Sequence, residues 1–179
     1  MNTIRDIARF DQPLTLDSGA VLPHIDVAYE TYGELNAEAD NAVLVLHGLT
    51  GTQHAMGTSP ETGRPGWWDA AIGPGKAIDT DRYFVVSPNA LGSYGGSTSA
   101  ASPDPETNLP YGSRFPIVTI GDSVESHARL ADKLGITRFH SIIGGCFGGF
   151  QAMEWMARHP DMVGSSVVIS ATPRTSAHN

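Results

Sequence analysis

The 179-residue chain has the length and composition of one globular domain. It is 40% apolar and 17% charged, and its 20 glycines and 12 prolines imply many turns. The net charge of −8, with only 11 lysines and arginines, argues against nucleic acid or an anionic membrane as a partner and favours small-molecule chemistry. One cysteine forms no intramolecular disulfide, and the chain has neither a signal peptide nor an apolar stretch of about 18 residues. We therefore expect a cytoplasmic protein.

The first predicted elements form an antiparallel hairpin at an edge of the sheet. Residues 24–33, "HIDVAYETYG", alternate between polar and apolar as a half-buried strand does. We expect this strand to pair with residues 13–19, "PLTLDSG".

Two buried strands follow, at residues 42–48, "AVLVLHG", and 83–89, "YFVVSPN". Their nearly continuous apolar content is typical of parallel strands covered on both faces by helices. Between them, Trp67 and Trp68 have two interpretations, as the lining of a pocket or as packing residues of a loop, and the second is the commoner.

A long stretch from Leu91 to Thr119, rich in Gly, Ser and Pro, exceeds the usual length of a connection and predicts a functional loop or a partly ordered excursion.

The sequence of residues 121–136 then predicts a helix. Asp122 is its expected N-cap, with Glu125 completing a capping box, and Gly135 ends it.

The last elements are a strand at residues 139–145, a helix at residues 148–160 that stops near Pro160, and an apolar strand at residues 165–170, "SSVVIS". Because strands alternate with helices in this part of the chain, the fold class is α/β with a mostly parallel sheet.

The junction between that strand and helix reads Gly144-Gly145-Cys146-Phe147-Gly148, which has the form G-x-nucleophile-x-G. Glycines two residues to either side of Cys146 let strand and helix approach closely. Cys146 would stand on a sharp turn at the N-terminus of the helix, where the macrodipole favours a thiolate. The alternative is a small buried apolar residue, the usual state of a solitary cysteine.

Two backbone amides are candidates for an oxyanion hole, which stabilises the negative oxygen of a tetrahedral intermediate. One is the N–H of Phe147, directly after the nucleophile. The other is the N–H of Leu49, in the loop "HGLTGTQHA" after the first parallel strand. We interpret His47 as a residue that shapes this loop by hydrogen bonding, and neither His47 nor His54 as a catalytic base.

The remaining histidines predict no metal site, because they are scattered and no H-E-x-x-H or C-x-x-C motif occurs. We interpret four of them as ordinary polar positions: His24, His127, His140 and His159.

Several blocks of the sequence resemble the homoserine O-acyltransferases of the α/β-hydrolase fold. They are "HGLTGTQHA", "GWWDAAIGPGKAIDTDRYFVVSPNALGSYGGST", "PETNLPYGSRFPIVTIGDSV" and "GGCFGGFQAMEW", between His47 and Trp155. The resemblance implies an α/β-hydrolase domain and transfer of an acetyl or succinyl group from acyl-CoA to the hydroxyl of homoserine or a related acceptor. Acyl-CoA is a substrate, and no cofactor is implied.

The family nucleophile is ordinarily serine, so a role for Cys146 is carried over by position, and the acyl-enzyme would be a thioester. The run "GSTSAA" at residues 96–101 and the run "GGCFGGFQ" at residues 144–151 depart from the family's usual "GSTGP" and "GGSxGGMQ". An esterase that passes the acyl group to water is therefore the second interpretation, and a non-catalytic fragment is the third.

In this fold, the acid and histidine of the triad follow later strands. We therefore expect residues 1–179 to be the N-terminal part of a single α/β-hydrolase domain, either truncated or a cleavage product. A C-terminal complementary fragment or chain would supply the Asp and the His, and the complete enzyme is compatible with a homodimer.

Overall fold

The computed structural model describes residues 2–174. It contains eight strands and two α-helices. The strands are β1 (Thr3–Phe10), β2 (Leu14–Thr15), β3 (Val21–Leu22), β4 (Ile25–Tyr32), β5 (Ala42–Leu46), β6 (Phe84–Pro88), β7 (Ser141–Gly145) and β8 (Ser166–Ile169). The helices are α1 (Ile120–Lys133) and α2 (Phe147–Arg158).

Six of these strands form one sheet in the order β1-β4-β6-β5-β7-β8. Strands β6, β5, β7 and β8 are parallel, whereas β4 runs antiparallel to β6 and β1 antiparallel to β4. All residues of β5 and β6 are buried, as their continuous apolar sequences predicted. The predicted α/β fold with a mostly parallel sheet is confirmed.

The predicted pairing partner of β4 was wrong. All eight residues of β4 pair with β1, from Thr3 opposite Tyr32 to Phe10 opposite Ile25. The segment 13–19 instead starts a small separate hairpin, in which β2 pairs with β3. Strand β1 escaped prediction because it is an edge strand with mostly exposed residues and little apolar signal. Its eight residues match β4 in length, whereas segment 13–19 already turns at Gly19, which has a φ of 84°.

The two faces of the sheet are covered differently. Buried residues of α1 and α2, including Leu130 and Trp155, pack with Leu44 and Ile142 on one face. On the other face, Val43 and its neighbours pack against residues of the irregular segment between β5 and β6, such as Ile72. Both described α-helices therefore lie on one face, and the expectation of helices on both faces is not met within residues 2–174. There the irregular segment between β5 and β6 takes the place of a helix, because its apolar side chains pack on the second face.

The N-terminus of α1 lies slightly earlier than predicted. Thr119, not Asp122, is the N-cap, and its hydroxyl accepts the N–H of Asp122 at 3.1 Å. Asp122 returns the bond by accepting the N–H of Thr119 at 2.7 Å. The capping box is thus shifted by three residues, while Glu125 contacts His159 across the helix pair. As predicted, Gly135 follows the helix end, with a φ of 75°.

The stretch from Leu91 to Thr119 is folded onto the sheet. Its one short helix is a 3₁₀ turn at Gly112–Arg114. Ser97 and Thr98 are buried against β4, where the Ser97 hydroxyl accepts the N–H of Ala28 at 3.0 Å and the Thr98 hydroxyl accepts the N–H of Asp26 at 2.7 Å. These bonds satisfy two N–H groups in the part of β4 that extends beyond its pairing with β6.

Among residues 2–174, no helix has the length and apolar character needed to cross a membrane.

Candidate active site

Cys146 is the single residue between β7 and α2, and its backbone has a conformation that residues other than glycine rarely adopt. Its φ is 54° and its ψ is −119°, and its side chain is exposed. The N–H of Cys146 donates to the carbonyl of Ile169 in β8 at 2.9 Å, and its own carbonyl accepts the N–H of Gly149 at 3.0 Å. Such a conformation costs about 1–3 kcal/mol and persists only where its surroundings enforce it. The sharp turn predicted from the sequence is present, with the thiol at the carboxyl end of the parallel strands.

The glycines around the turn allow helix and strand to touch. A Cβ atom on Gly144 would overlap the carbonyl oxygen of Gly148, and a Cβ atom on Gly148 would overlap the carbonyl oxygen of Leu46. The close approach expected for these two positions is confirmed. As a result, α2 begins directly against the ends of β5 and β7.

The fold itself uses neither of the two amides predicted to form an oxyanion hole. Phe147 is the first residue of α2, so its N–H has no partner within the helix. Neither this N–H nor that of Leu49 has a hydrogen-bond acceptor within residues 2–174. The loop of Leu49 lies beside the thiol, since a Cβ atom on Gly48 would be 3.9 Å from the Cβ of Cys146.

His47 fixes the peptide that carries the Leu49 amide. The ring is buried, its Nδ1 lies 2.7 Å from the carbonyl oxygen of Gly48, and its Nε2 accepts the N–H of Ala90 at 3.3 Å. These partners assign the proton to Nδ1, and burial lowers the pKa of His47. Because the peptide is planar and trans, a Gly48 carbonyl held by His47 turns the N–H of Leu49 to the opposite side. His47 thus shapes the loop, as the sequence predicted.

Leu49 and Phe147 line the same cavity, which has a volume of about 480 Å³. Apolar side chains, including those of Leu91, Phe115 and Val118, form part of its wall. These three residues come from the stretch predicted to be a functional loop. A group bound at the two amides would therefore have an apolar surface beside it.

A protein-family model described as the alpha/beta hydrolase fold matches residues 41–179. The chain belongs to this family. In α/β-hydrolases, the strand-turn-helix junction occupied by Cys146 is the nucleophile elbow.

Similar proteins within the α/β-hydrolase family include acyltransferases. A protein of Alkalilimnicola ehrlichii named homoserine O-succinyltransferase is 54% identical over 95% of this chain and 44% of its own length. One of Solidesulfovibrio magneticus named homoserine O-acetyltransferase is 52% identical over 96% of this chain and 43% of its own length. These matches confirm the resemblance drawn from the sequence blocks. The chain spans less than half the length of these relatives.

Solved structures of the same fold include an acyltransferase and an esterase. The homoserine O-acetyltransferase of Bacillus anthracis superposes with a TM-score of 0.83 at 33% identity, covering 91% of this chain and 45% of its own. The acetylester hydrolase of Corynebacterium glutamicum superposes with a TM-score of 0.82 at 32% identity, covering 98% of this chain and 46% of its own.

An α/β-hydrolase nucleophile normally contacts a histidine, and no histidine within residues 2–174 contacts Cys146 in this way. Within residues 2–174 the sulfur of Cys146 has no hydrogen-bond partner. The rings of His47, His54, His127 and His159 contact other groups. The described part of the chain therefore holds the candidate nucleophile and the two candidate amides, but no histidine beside the thiol.

His127 differs from the ordinary polar position that the sequence predicted. It is buried in α1, its Nε2 donates to the carbonyl of Asn89 at 3.3 Å, and burial lowers its pKa to about 3. The missed signal is its helical spacing from Val124 and Leu130, which are both buried. His127 therefore remains neutral at physiological pH, and its buried ring supports the backbone just after β6.

Trp67 and Trp68 both pack within the loop, and Trp67 alone of the two also lines a cavity. Their ring centroids are 5.2 Å apart, and both rings pack against the buried cluster of Val43 and its neighbours, on the sheet face opposite the helices. Trp67 also lines a cavity of about 670 Å³, separate from that beside Phe147, and its indole N–H donates to the carbonyl of Thr52 at 2.9 Å. The tryptophan therefore supports the segment that follows Leu49.

Proposed function

We propose that the complete protein is an O-acyltransferase, which moves an acetyl or succinyl group from acyl-CoA to the hydroxyl of homoserine through a thioester on Cys146. The observation that carries this proposal is the exposed thiol on a strained elbow, next to two backbone amides that have no acceptor among the described residues. The names of similar proteins support the substrate assignment.

In the first half of the reaction, the Cys146 thiolate attacks the thioester carbonyl of acyl-CoA. The carbonyl oxygen becomes an oxyanion that accepts hydrogen bonds from the N–H groups of Leu49 and Phe147. Collapse of this intermediate breaks the bond to the CoA sulfur, and CoA leaves as a thiolate that takes up a proton. Cys146 then carries the acyl group.

In the second half, the homoserine hydroxyl loses its proton to a base and attacks the new thioester. The same two amides stabilise the second oxyanion, and the Cys146 thiolate leaves. A thiolate needs less help from a base than a serine hydroxyl does. The attacking hydroxyl still needs a base, which we place, with its acid partner, outside residues 1–179.

Hydrolysis is the second candidate function. The supporting observation is that an acetylester hydrolase and the esterase E22 superpose on this chain as well as an acyltransferase does, with TM-scores of 0.82 and 0.83 against 0.83. An esterase would use the same elbow and amides, with water in place of homoserine.

The test uses the complete enzyme with acetyl-CoA or succinyl-CoA, with and without homoserine. We expect CoA release to depend on homoserine and to match O-acylhomoserine formation measured by mass spectrometry. We expect Cys146→Ala to lower both by about 10³-fold or more, since removal of a nucleophile disables both half-reactions. Cys146→Ser, the matched variant, keeps a nucleophile and should retain more activity than Cys146→Ala.

Equal CoA release with and without homoserine would support hydrolysis instead. Full activity of Cys146→Ala would remove the nucleophile assignment. Complete absence of CoA release and of an acyl adduct on Cys146 would leave the non-catalytic interpretation.

A further inference from the structure

A buried carboxylate on β4 lies at the centre of a cluster that the reaction described above does not use. Glu30 is 1% exposed, and its register partner on β1, Arg5, donates from Nε to Oε1 at 2.6 Å. The hydroxyl of Tyr32 donates to Oε2 at 2.5 Å, and the Nδ1 of His54 lies 3.0 Å from the same oxygen. A carboxylate buried this deeply is stable only while such partners remain in place.

The partners of Glu30 also hold the segment that follows Leu49. Besides donating to Glu30, the Tyr32 oxygen accepts the N–H groups of Ala55 and Met56, at 3.0 and 3.1 Å. His54 belongs to the same segment. Arg5 Nη2 lies 3.1 Å from the Nδ1 of His54, but a carboxylate is the stronger acceptor, so we assign the Nδ1 proton to the bond with Glu30. Glu30 thus contacts this segment both directly and through Tyr32.

The segment 49–56 depends on such contacts, because it forms no helix or strand. Its other anchors are backbone bonds from the N–H groups of Trp67 and Trp68 to the carbonyls of His54 and Ala55, and several side chains. The Tyr94 hydroxyl donates to the carbonyl of Thr50 at 2.6 Å, and the Gln53 side chain donates to the carbonyl of Gly95 at 3.1 Å. These two bonds are exposed, whereas the Glu30 cluster forms the buried end of the segment.

We propose that Glu30 is a positioning residue, which through Tyr32 and His54 holds segment 49–56 so that the Leu49 amide faces the oxyanion on Cys146. This inference rests on the proposed function. Glu30 lines neither the thiol nor the cavity beside Phe147, so loss of its charge would act by loosening the segment and misplacing the Leu49 amide. The chemical step would then slow far more than acyl-donor binding weakens, because Leu91, Phe115 and Val118 in that cavity lie outside the segment.

The test compares Glu30→Gln with Glu61→Gln in the complete enzyme. Glu61 is the matched control, because its side chain pairs with the same Arg5 at 3.4 Å but is 79% exposed. We expect Glu30→Gln to lower kcat by about 10-fold to 100-fold, approaching the loss caused by removing one oxyanion-hole donor, with less than about a 3-fold change in KM for the acyl donor. Glu61→Gln should match the wild type.

A second readout separates positioning from general damage to the fold. Acylation of Cys146 passes through an oxyanion, whereas alkylation by iodoacetamide displaces iodide from a saturated carbon and forms none. Peptide mass spectrometry gives both rates at Cys146. We expect Glu30→Gln to slow acylation by the same factor as kcat and to leave alkylation unchanged. Tyr32→Phe, which removes the bridging hydroxyl, should reproduce this pattern and replaces Glu30→Gln if that variant fails to fold.

The proposal is overturned if Glu30→Gln behaves as Glu61→Gln does, or if acylation and alkylation slow together. It is also overturned if a folded Tyr32→Phe variant keeps the wild-type acylation rate. A wild-type enzyme whose Cys146 is alkylated but never acylated would refute the proposed function itself, which distinguishes the two failures.

Discussion

At the scale of single residues, the elbow combines a strained cysteine with glycines that admit no side chain. The positive φ of Cys146 and the overlap that a Cβ on Gly144 or Gly148 would create have one geometric origin, because α2 starts directly at the ends of the strands. Gly145 differs, since a Cβ there would be 3.9 Å from the Cβ of Ile169, an ordinary contact.

We therefore expect Gly148→Ala to destabilise the enzyme far more than Gly145→Ala. In Gly148→Ala the new methyl group would push α2 away from the carbonyl of Leu46, at a cost of about 3 kcal/mol or more. Gly145→Ala should change stability by less than about 1 kcal/mol. Thermal unfolding of the complete enzyme measures both, and equal shifts would show that the helix start is not tightly packed.

At the scale of elements, the N-terminus of α1 joins three parts of the fold. Asp122 accepts the N–H groups of Thr119 and of Asp17, which lies in the turn between β2 and β3. The Thr119 hydroxyl donates to Asp17 at 2.6 Å, and Arg158 at the end of α2 donates to the same carboxylate at 2.7 Å. Arg158 and Thr119 lower the pKa of Asp17 by these bonds. One helix cap thus ties the small hairpin to both helices.

Replacing Thr119 by alanine should remove this cap and lower the free energy of unfolding by about 1–2 kcal/mol. Thr137→Ala is the control, because Thr137 is exposed and makes no hydrogen bond within the described chain. Denaturant unfolding followed by circular dichroism gives the comparison. A Thr119→Ala variant as stable as Thr137→Ala would mean that solvent satisfies the helix end equally well.

At the scale of the whole molecule, β8 is the open edge of the sheet. It pairs with β7, and no other strand within residues 2–174 lies along its far side. Val167 and Ile169 on this strand are 46% and 43% exposed. An apolar strand with free backbone groups is a template for pairing or aggregation. Since relatives extend well beyond the matched part, we propose that the remaining sequence covers this edge and supplies the base and acid.

We expect residues 1–179 alone to be inactive and prone to aggregate. Co-expression with the remainder of the protein should yield a noncovalent complex that sediments as one species and regains acyl transfer. Native mass spectrometry and size exclusion test this, with the uncut enzyme as control. A monodisperse 19.0 kDa monomer that turns over acyl-CoA would contradict it.

The amino-acid sequence alone determined the parts of the fold that depend on local pattern. Strands β5 to β8, both helices and the glycine-flanked turn at Cys146 follow from apolar periodicity and turn chemistry within a few residues. The positions of Leu49 and Phe147 near the thiol followed as well, because consecutive elements of a parallel sheet end at the same edge.

Tertiary structure decided what depends on distant residues. Strand β1 pairs with β4 over eight residues, and the cluster of Arg5, Glu30 and His54 joins residues that are up to 49 positions apart. The burial of His127 depends on packing between elements. No local pattern encodes such contacts, because their partners are brought together only once the sheet has formed, and the Glu30 carboxylate is stable in its buried position only with those partners in place.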